Sequence, residues 1–250
     1  MDKYIIVKDI YHNNYGKILK VLDVNHKPFI FKIVYNKNGI SNDAIKEYNT
    51  LKNLNHANII KLVETFFDIK NTTFILEYAD MDLKHYRNLY DSLDDNEIKN
   101  ITLQISLGLK YCHDQFIIHR DLKPQNILVQ IKSDGVLIKM ADFGLAIQQI
   151  LPKKLSFNVV SLWYRAPEII LKKPYNEKID IWSLGCIYYE LITNKVLFKG
   201  TEETQFNVIL YYLKKINLPP NQLTLINLML KINPVERIDI KNIFNCINNT

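Results

Sequence analysis

The alternation of hydrophobic and polar positions changes period about a third of the way along the chain. Three early runs, Tyr4 to Ile10, Lys17 to Val24 and Pro28 to Val34, alternate apolar with polar residues, and a turn falls around Asn25 and His26. A period of two marks half-buried strands, so these runs predict a small antiparallel sheet. One helix interrupts it. Ser41 or Asn42 can cap that helix, and Ile45, Tyr48, Leu51 and Leu54 recur at three- and four-residue spacing on an apolar face. Strands resume at Ile59 to Phe67 and Thr72 to Glu77.

After Tyr78 the period becomes helical. Asp82 to Tyr90, Asp95 to Cys112, Glu177 to Ile192, Glu203 to Lys214, Leu223 to Lys231 and Ile240 to Ile247 read as helices, with Ile127 to Val129 and Val136 to Met140 as short strands among them. The boundary falls at residues 77 to 82, and no internal repeat is visible. The pattern predicts an α+β fold, a small antiparallel β part with one main helix followed by a larger, mainly α part.

Composition narrows the class. The chain has 250 residues, 48% hydrophobic and 23% charged, which is ordinary for a soluble globular protein with a real core. The formal charge of +6 is mild and spread along the chain, with no basic stripe interleaved with aromatics, so no nucleic-acid partner is expected; acidic or phosphorylated ligands fit the charge equally well. Cys112, Cys186 and Cys246 are odd in number and far apart, and Cys112 beside His113 lacks zinc-ligand spacing. They read as buried thiols of a reducing compartment. No apolar run approaches the length of a membrane span, and Met1 to His12 lacks a signal-peptide pattern. The expected location is therefore intracellular, in the nucleus and/or cytoplasm, with no membrane partner.

The chemistry concentrates between Tyr111 and Glu168. His119, Arg120, Asp121, Leu122, Lys123, Pro124, Gln125 and Asn126 form a polar loop running into one short strand, and the next strand delivers Asp142, Phe143 and Gly144. Phosphoryl transfer needs a carboxylate to orient the attacking hydroxyl, oxygen ligands for Mg²⁺, and positive charge on the transferring group. Asp121 fits the first need, Asn126 and Asp142 the second, and Lys123 the third.

The run HRDLKPQN, with DFG sixteen residues after its Asn and then Ala166, Pro167 and Glu168, resembles the catalytic core of the eukaryotic protein kinases. The Lys two residues after Asp121 is similar to the Ser/Thr branch. The resemblance implies a two-lobe kinase fold, a single domain over residues 1–250 with residues 1–79 as the small lobe and 80–250 as the large one. ATP and Mg²⁺ are the implied cofactors, with the nucleotide between the lobes. Lys32 matches the strand lysine that contacts the α and β phosphates, and Glu47 its ion-pair partner. By the same resemblance Leu76 would be the gatekeeper, the backbones of Glu77 and Ala79 would face the adenine edge, and Asp82 could reach the ribose. Ile18, Ile30, Gln125 and Leu128 complete the implied nucleotide site, and Ile30 stands where an Ala usually lies against the adenine.

Kinases cover the ATP phosphates with a glycine-rich loop, because residues without Cβ let backbone N–H groups come close. In the corresponding run, Tyr11, His12, Asn13, Asn14, Tyr15, Gly16, Lys17, Ile18, only the third glycine, Gly16, remains. Tyr11 and Asn13 replace the other two. This is the largest departure from the family.

Trp163 to Glu168, then Asp180, Ile181, Trp182, Ser183, Leu184, Gly185 and Cys186, resemble the cyclin-dependent kinases. The implied activity is ATP-dependent phosphorylation of protein Ser or Thr, proline-directed, in a cell-cycle or transcription role. Arg165 would brace the substrate-binding segment so that a proline after the acceptor is favoured, with Val159, Val160 and Ser161 shaping that pocket. Glu168 would pair with Arg237, and Asp180 would hold the catalytic-loop backbone. The Ser41 to Leu54 helix resembles the family's cyclin-facing segment, so a cyclin-like regulatory subunit is an expected partner beside the protein substrates. Ser156 aligns with the phosphorylated threonine of the family, but of the basic cradle only Arg120 and Lys46 are present, with Ile147 in place of the third arginine. Tyr15 matches an inhibitory tyrosine, or simply packs in the loop. The segment from Lys215 to Leu223 is short where this branch carries a long insert, and the chain reads as a minimal kinase domain.

Two rivals stay open. A pseudokinase acting as a scaffold is favoured by Tyr11, Asn13 and Ile30 and opposed by the complete set Lys32, Glu47, Asp121, Asn126 and Asp142. A mitogen-activated type kinase is opposed by the absence of a Thr, any residue, Tyr pair between Leu145 and Trp163.

Overall fold

Strand-forming sequence dominates the first third, and the computed structural model, which describes residues 3–37, 39–149 and 161–248, folds it as one five-stranded antiparallel sheet. Its strands are β1 (Tyr4–Asn13), β2 (Gly16–Asp23), β3 (Pro28–Tyr35), β4 (Leu62–Phe67) and β5 (Asn71–Glu77), in the spatial order β1-β2-β3-β5-β4. His26 turns between β2 and β3 with φ 60°. Helix α1 (Asn42–Leu51) packs beside this sheet and begins where Ser41 Oγ accepts the Ala44 N–H at 3.0 Å.

Three expectations about this part are corrected. The helix stops at Leu51 rather than Leu54, because Lys52 to Asn55 turn towards Ile59. Its buried face is Ala44, Glu47 and Leu51, whereas Ile45 is 40% exposed. Hydrophobic spacing alone missed that a carboxylate takes the inward position, held there by a lysine. The strand expected from Ile59 begins only at Leu62. Residues Asn58 to Ile60 instead bond sideways to Met140, through Met140 N–H to Asn58 C=O and Ile60 N–H to Met140 C=O, both at 2.9 Å. That junction fastens the sheet to the strand that ends beside Asp142.

Beyond Glu77 the chain forms β6 (Met81–Asp82), α2 (Leu83–Asn88), α3 (Asp95–Asp114), β7 (Ile117–Ile118), β8 (Ile127–Lys132), β9 (Gly135–Met140), β10 (Ile147–Gln148), α4 (Pro167–Ile170), α5 (Lys178–Thr193), α6 (Gln205–Leu213), α7 (Pro220–Met229) and α8 (Ile240–Asn248). Strands β6, β8 and β9 make a small sheet, and β7 pairs with β10. Asp82 and Asp94 cap α2 and α3 through their carboxylates. Helix α7 starts three residues before the expected Leu223. Pro219 and Pro220 read as breakers, yet proline suits a first helical turn, whose N–H groups have no helical partner.

The core follows from these faces. Helix α5 is buried nearly all round, which its long apolar run requires, and Trp182 on it is fully enclosed and stacks on Phe198 at 5.5 Å. One continuous cluster runs from Ala44 and Leu51 through Phe74, Ile101 and Met140 to Trp182 and Ile243. A second, small cluster of Leu19, Val21, Phe29, Phe31 and Ile75 lies on the sheet's other face. Tyr4 closes it edge-on to Phe31 at 5.0 Å. Among the described residues no helix is long and apolar enough to cross a membrane.

Candidate active site

The loop between β7 and β8 is fixed from below by Asp180 on α5. Asp180 Oδ2 accepts the His119 N–H at 2.9 Å and Oδ1 accepts the Arg120 N–H at 3.0 Å. His113 Nε2 adds a third contact at 2.9 Å, a partner the sequence did not announce, since a histidine inside α3 reads only as half-polar core. Asp180 is 1% exposed, and burial alone would raise its pKa. His113 and the backbone N–H groups outweigh burial and hold the carboxyl below its usual range. Those bonds also hold Arg120 at φ 67°, a left-handed conformation unfavourable for a side chain of its size.

Above this base the side chains converge. Asp121 Oδ2 accepts from Lys123 Nζ at 2.7 Å and Asn126 Nδ2 at 2.9 Å; Oδ1 accepts from Ser161 N–H at 3.0 Å and Ser161 Oγ at 2.9 Å. Lys123 Nζ also donates to Ser161 Oγ at 2.9 Å. Ser161, expected in the substrate pocket, lies directly on the Asp121 carboxylate. His119 is fully buried, accepting the Asp121 N–H at Nδ1 and facing the Ala141 carbonyl with Nε2 at 3.0 Å. Nε2 therefore carries the proton in this pairing.

A second constellation bridges the sheet and the β9 strand end. Lys32 Nζ on β3 lies 2.6 Å from Glu47 Oε1 on α1 and 2.8 Å from Asp142 Oδ1. Burial would depress the lysine, but the two carboxylates outweigh it and raise its pKa, so it stays charged. Asp142 is correspondingly held below the usual carboxylate range, mainly by Lys32 against the effect of burial. Its φ of 61° turns the side chain out of the strand direction.

These geometries suit a divalent cation held partly by phosphate. Asn126 uses its amide nitrogen on the Asp121 carbonyl and carboxylate, which turns its oxygen the other way, and Asp142 engages Lys32 through Oδ1 alone. One amide oxygen and one carboxylate oxygen are then available. Among the described residues no group of three or more His, Cys, Asp or Glu could hold a metal unaided. That donor set matches Mg²⁺, which takes one or two protein oxygens, waters and substrate phosphates in place of an all-protein cage.

The nucleotide candidates lie along the seam. Ile30 stands opposite Leu76 and Ile18 opposite Lys32 in the strand registers. Glu77 is pinned by Lys139 Nζ and the Lys61 N–H, both at 2.8 Å, and Gln130 Nε2 holds the Tyr78 carbonyl at 2.7 Å. Ala79, next along the chain, is buried. Asp82 pairs with Leu128 in register and gives one oxygen to the His85 N–H, the cap of α2. Gln125 is exposed at the mouth of the loop. A cavity of about 610 Å³ lies elsewhere, between the ends of α3, α5 and α8, and none of these residues lines it.

The cover is built differently. Gly16 is required by packing, since a Cβ there would meet the Ile33 carbonyl oxygen at 2.1 Å. Tyr11 is 55% exposed and Tyr15 is 70% exposed, with Lys37 Nζ 5.3 Å above the Tyr15 ring. Arg165 makes a two-point contact with Glu202 at 2.8 and 3.0 Å. Arg120 reaches the Leu145 carbonyl at 2.7 Å and the Tyr175 hydroxyl at 3.0 Å, whereas Lys46 pairs with Asp43 on the exposed side of α1 and Ile147 lies in β10. Glu168 and Arg237 form the expected buried two-point pair at 2.8 and 3.0 Å. Ser156, Val159 and Val160 lie outside the described residues.

The lysine of β3 and the carboxylate of α1 thus meet the Asp142 carboxylate that follows β9, beside the loop that carries Asp121, a set of groups suited to phosphoryl transfer. The family model for the protein kinase domain matches residues 4–246, nearly the whole chain, and the chain belongs to that family. ATP and Mg²⁺ use and protein substrates follow for the family in general.

Proposed function

We propose that this chain is an active Ser/Thr protein kinase of the cyclin-dependent type, two-lobed with its hinge at residues 77 to 82, which transfers the ATP γ-phosphate to a Ser or Thr followed by proline. The observation that carries the reading is the Asp121 carboxylate, with its four donors, Lys123, Asn126 and both groups of Ser161. Such a carboxylate is oriented before any substrate arrives.

In this reading Asp121 accepts the hydrogen bond of the substrate hydroxyl and orients its oxygen for in-line attack on the γ-phosphorus. The new O–P bond forms as the bond to the β,γ-bridging oxygen breaks, and the hydroxyl proton leaves towards Asp121. Lys123 balances charge on the transferring group. Lys32 holds the α and β phosphates, and Glu47 keeps the lysine in place. Asn126 and Asp142 would hold Mg²⁺, which neutralises phosphate charge when bound. Arg165 supports a proline-accepting pocket beside Ser161, and the outward face of α1, with Ile45 exposed, would take a cyclin-like subunit. Arg120 is already satisfied by Leu145 and Tyr175, so a phosphate on Ser156 would add little. The proposed location is intracellular, in nucleus or cytoplasm.

A scaffold without turnover is the second reading, favoured by the altered loop at Tyr11 and Asn13. Phosphate transfer from labelled ATP to Ser-Pro and Ser-Ala peptides, with Mg²⁺ and with or without a co-purified partner, separates the two. Transfer favouring Ser-Pro is expected. Transfer to neither peptide, with ATP bound, would favour the scaffold.

A further inference from the structure

The two residues that replace loop glycines are bonded to each other. Asn13 Oδ1 accepts the N–H of Tyr15 at 2.8 Å and of Gly16 at 3.0 Å, while Asn13 Nδ2 donates to the Tyr11 hydroxyl at 3.0 Å. These bonds lie at the surface, so the arrangement is a local clasp and not a consequence of core packing. It closes the two-residue tip between Asn13 and Gly16, which pair as the last rung of β1 and β2.

The tip extends past Lys32. Ile18, two residues after Gly16 on β2, stands opposite that lysine on β3, so the Tyr15 and Gly16 N–H groups lie at the start of the strand neighbouring the one that carries the phosphate anchor. Backbone N–H groups are what such a loop offers to phosphate oxygens. Here both already bond to a neutral carboxamide oxygen in the same chain.

We propose that Asn13 is an affinity-determining residue for the nucleotide phosphates, occupying the loop donors in place of a phosphate oxygen, with Tyr11 as the residue that positions it. The inference rests on the ATP-dependent reading of the site above. A phosphate oxygen makes the stronger, charge-assisted bond and displaces the carboxamide, but it must break two existing bonds to do so. The penalty falls only on ligands that carry phosphate. Tyr11 and Asn13 are then a coupled pair of changes rather than two independent losses.

The test is equilibrium binding, without turnover, of ADP and of adenosine to the full chain and to Asn13→Ala, Tyr11→Phe and the double variant. Asn13→Ala is expected to bind ADP about three- to tenfold tighter, with adenosine unchanged, as release of two donors to a charged acceptor implies. Tyr11→Phe should shift ADP in the same direction by less. The double variant should match Asn13→Ala alone, because Tyr11 acts only through the carboxamide. Unchanged or weaker ADP binding by Asn13→Ala, with adenosine still bound by both proteins, overturns the clasp and leaves the ATP reading standing. Failure of every protein to bind either ligand overturns the ATP reading and the inference with it.

Discussion

The catalytic loop and the β1–β2 cover are built on opposite terms. Asp121 and Asn126 are 7% exposed, and their polar atoms are tied into a network that reaches α5 through Asp180. Tyr11, Asn13 and Tyr15 lie in solvent and bond mainly to their immediate neighbours. The first region cannot change one member without leaving a buried polar group unpaired, whereas the second can change several at little expense in stability. The contrast explains how a chain can keep Lys32, Glu47, Asp121, Asn126 and Asp142 while losing two loop glycines.

The sharpest way to break that contrast is Asp121→Asn. The amide cannot accept the hydroxyl proton, so kcat should fall by about 10³-fold or more while folding and ADP binding persist, checked by steady-state kinetics beside circular dichroism. Arg237→Ala comes next. It leaves the Glu168 carboxylate buried and unpaired, and urea unfolding should show a loss of about 3–5 kcal/mol. In the cover, Gly16→Ala is the exception to tolerance, because its Cβ must push β2 off the Ile33 carbonyl; a loss of about 1–3 kcal/mol is expected in the same assay.

The smallest effect concerns pH. Asp180 has a depressed pKa, so the folded state binds its proton less readily than the unfolded chain does. Its contribution is complete above the ordinary aspartate range and is lost as pH falls through the lower, folded value. Urea midpoints measured from pH 7 down to pH 3 should decline at the acid end, and Asp180→Asn should flatten that decline.

Much of the fold was legible because period and capping agree locally. The three opening strands and Ser41 as cap needed only neighbours in sequence. Tertiary partners decided the rest. Ile59 reads as strand but bonds sideways to Met140, and Glu47 occupies an inward position that a hydrophobic pattern gives to Ile45. In the site, the motif residues were legible from their order, but their mutual bonds were not. Ser161 lies 40 residues from Asp121 and His113 lies 67 from Asp180, so nothing local announces either bond. The Asn13 clasp was legible in part, since Asn readily bonds the backbone two residues on, but its use of Tyr11 was not.

On the proposed reading, the altered cover weakens nucleotide affinity and leaves the transfer chemistry intact. Single-turnover transfer from labelled ATP to a Ser-Pro peptide, followed as ATP is raised to saturation with Mg²⁺ present, tests it most directly. A weak half-saturation is expected, with a transfer rate constant at saturation of about 1–100 s⁻¹, ordinary for the family, unchanged in Asn13→Ala while half-saturation improves. Nucleotide binding that saturates with no phosphate transferred would contradict it.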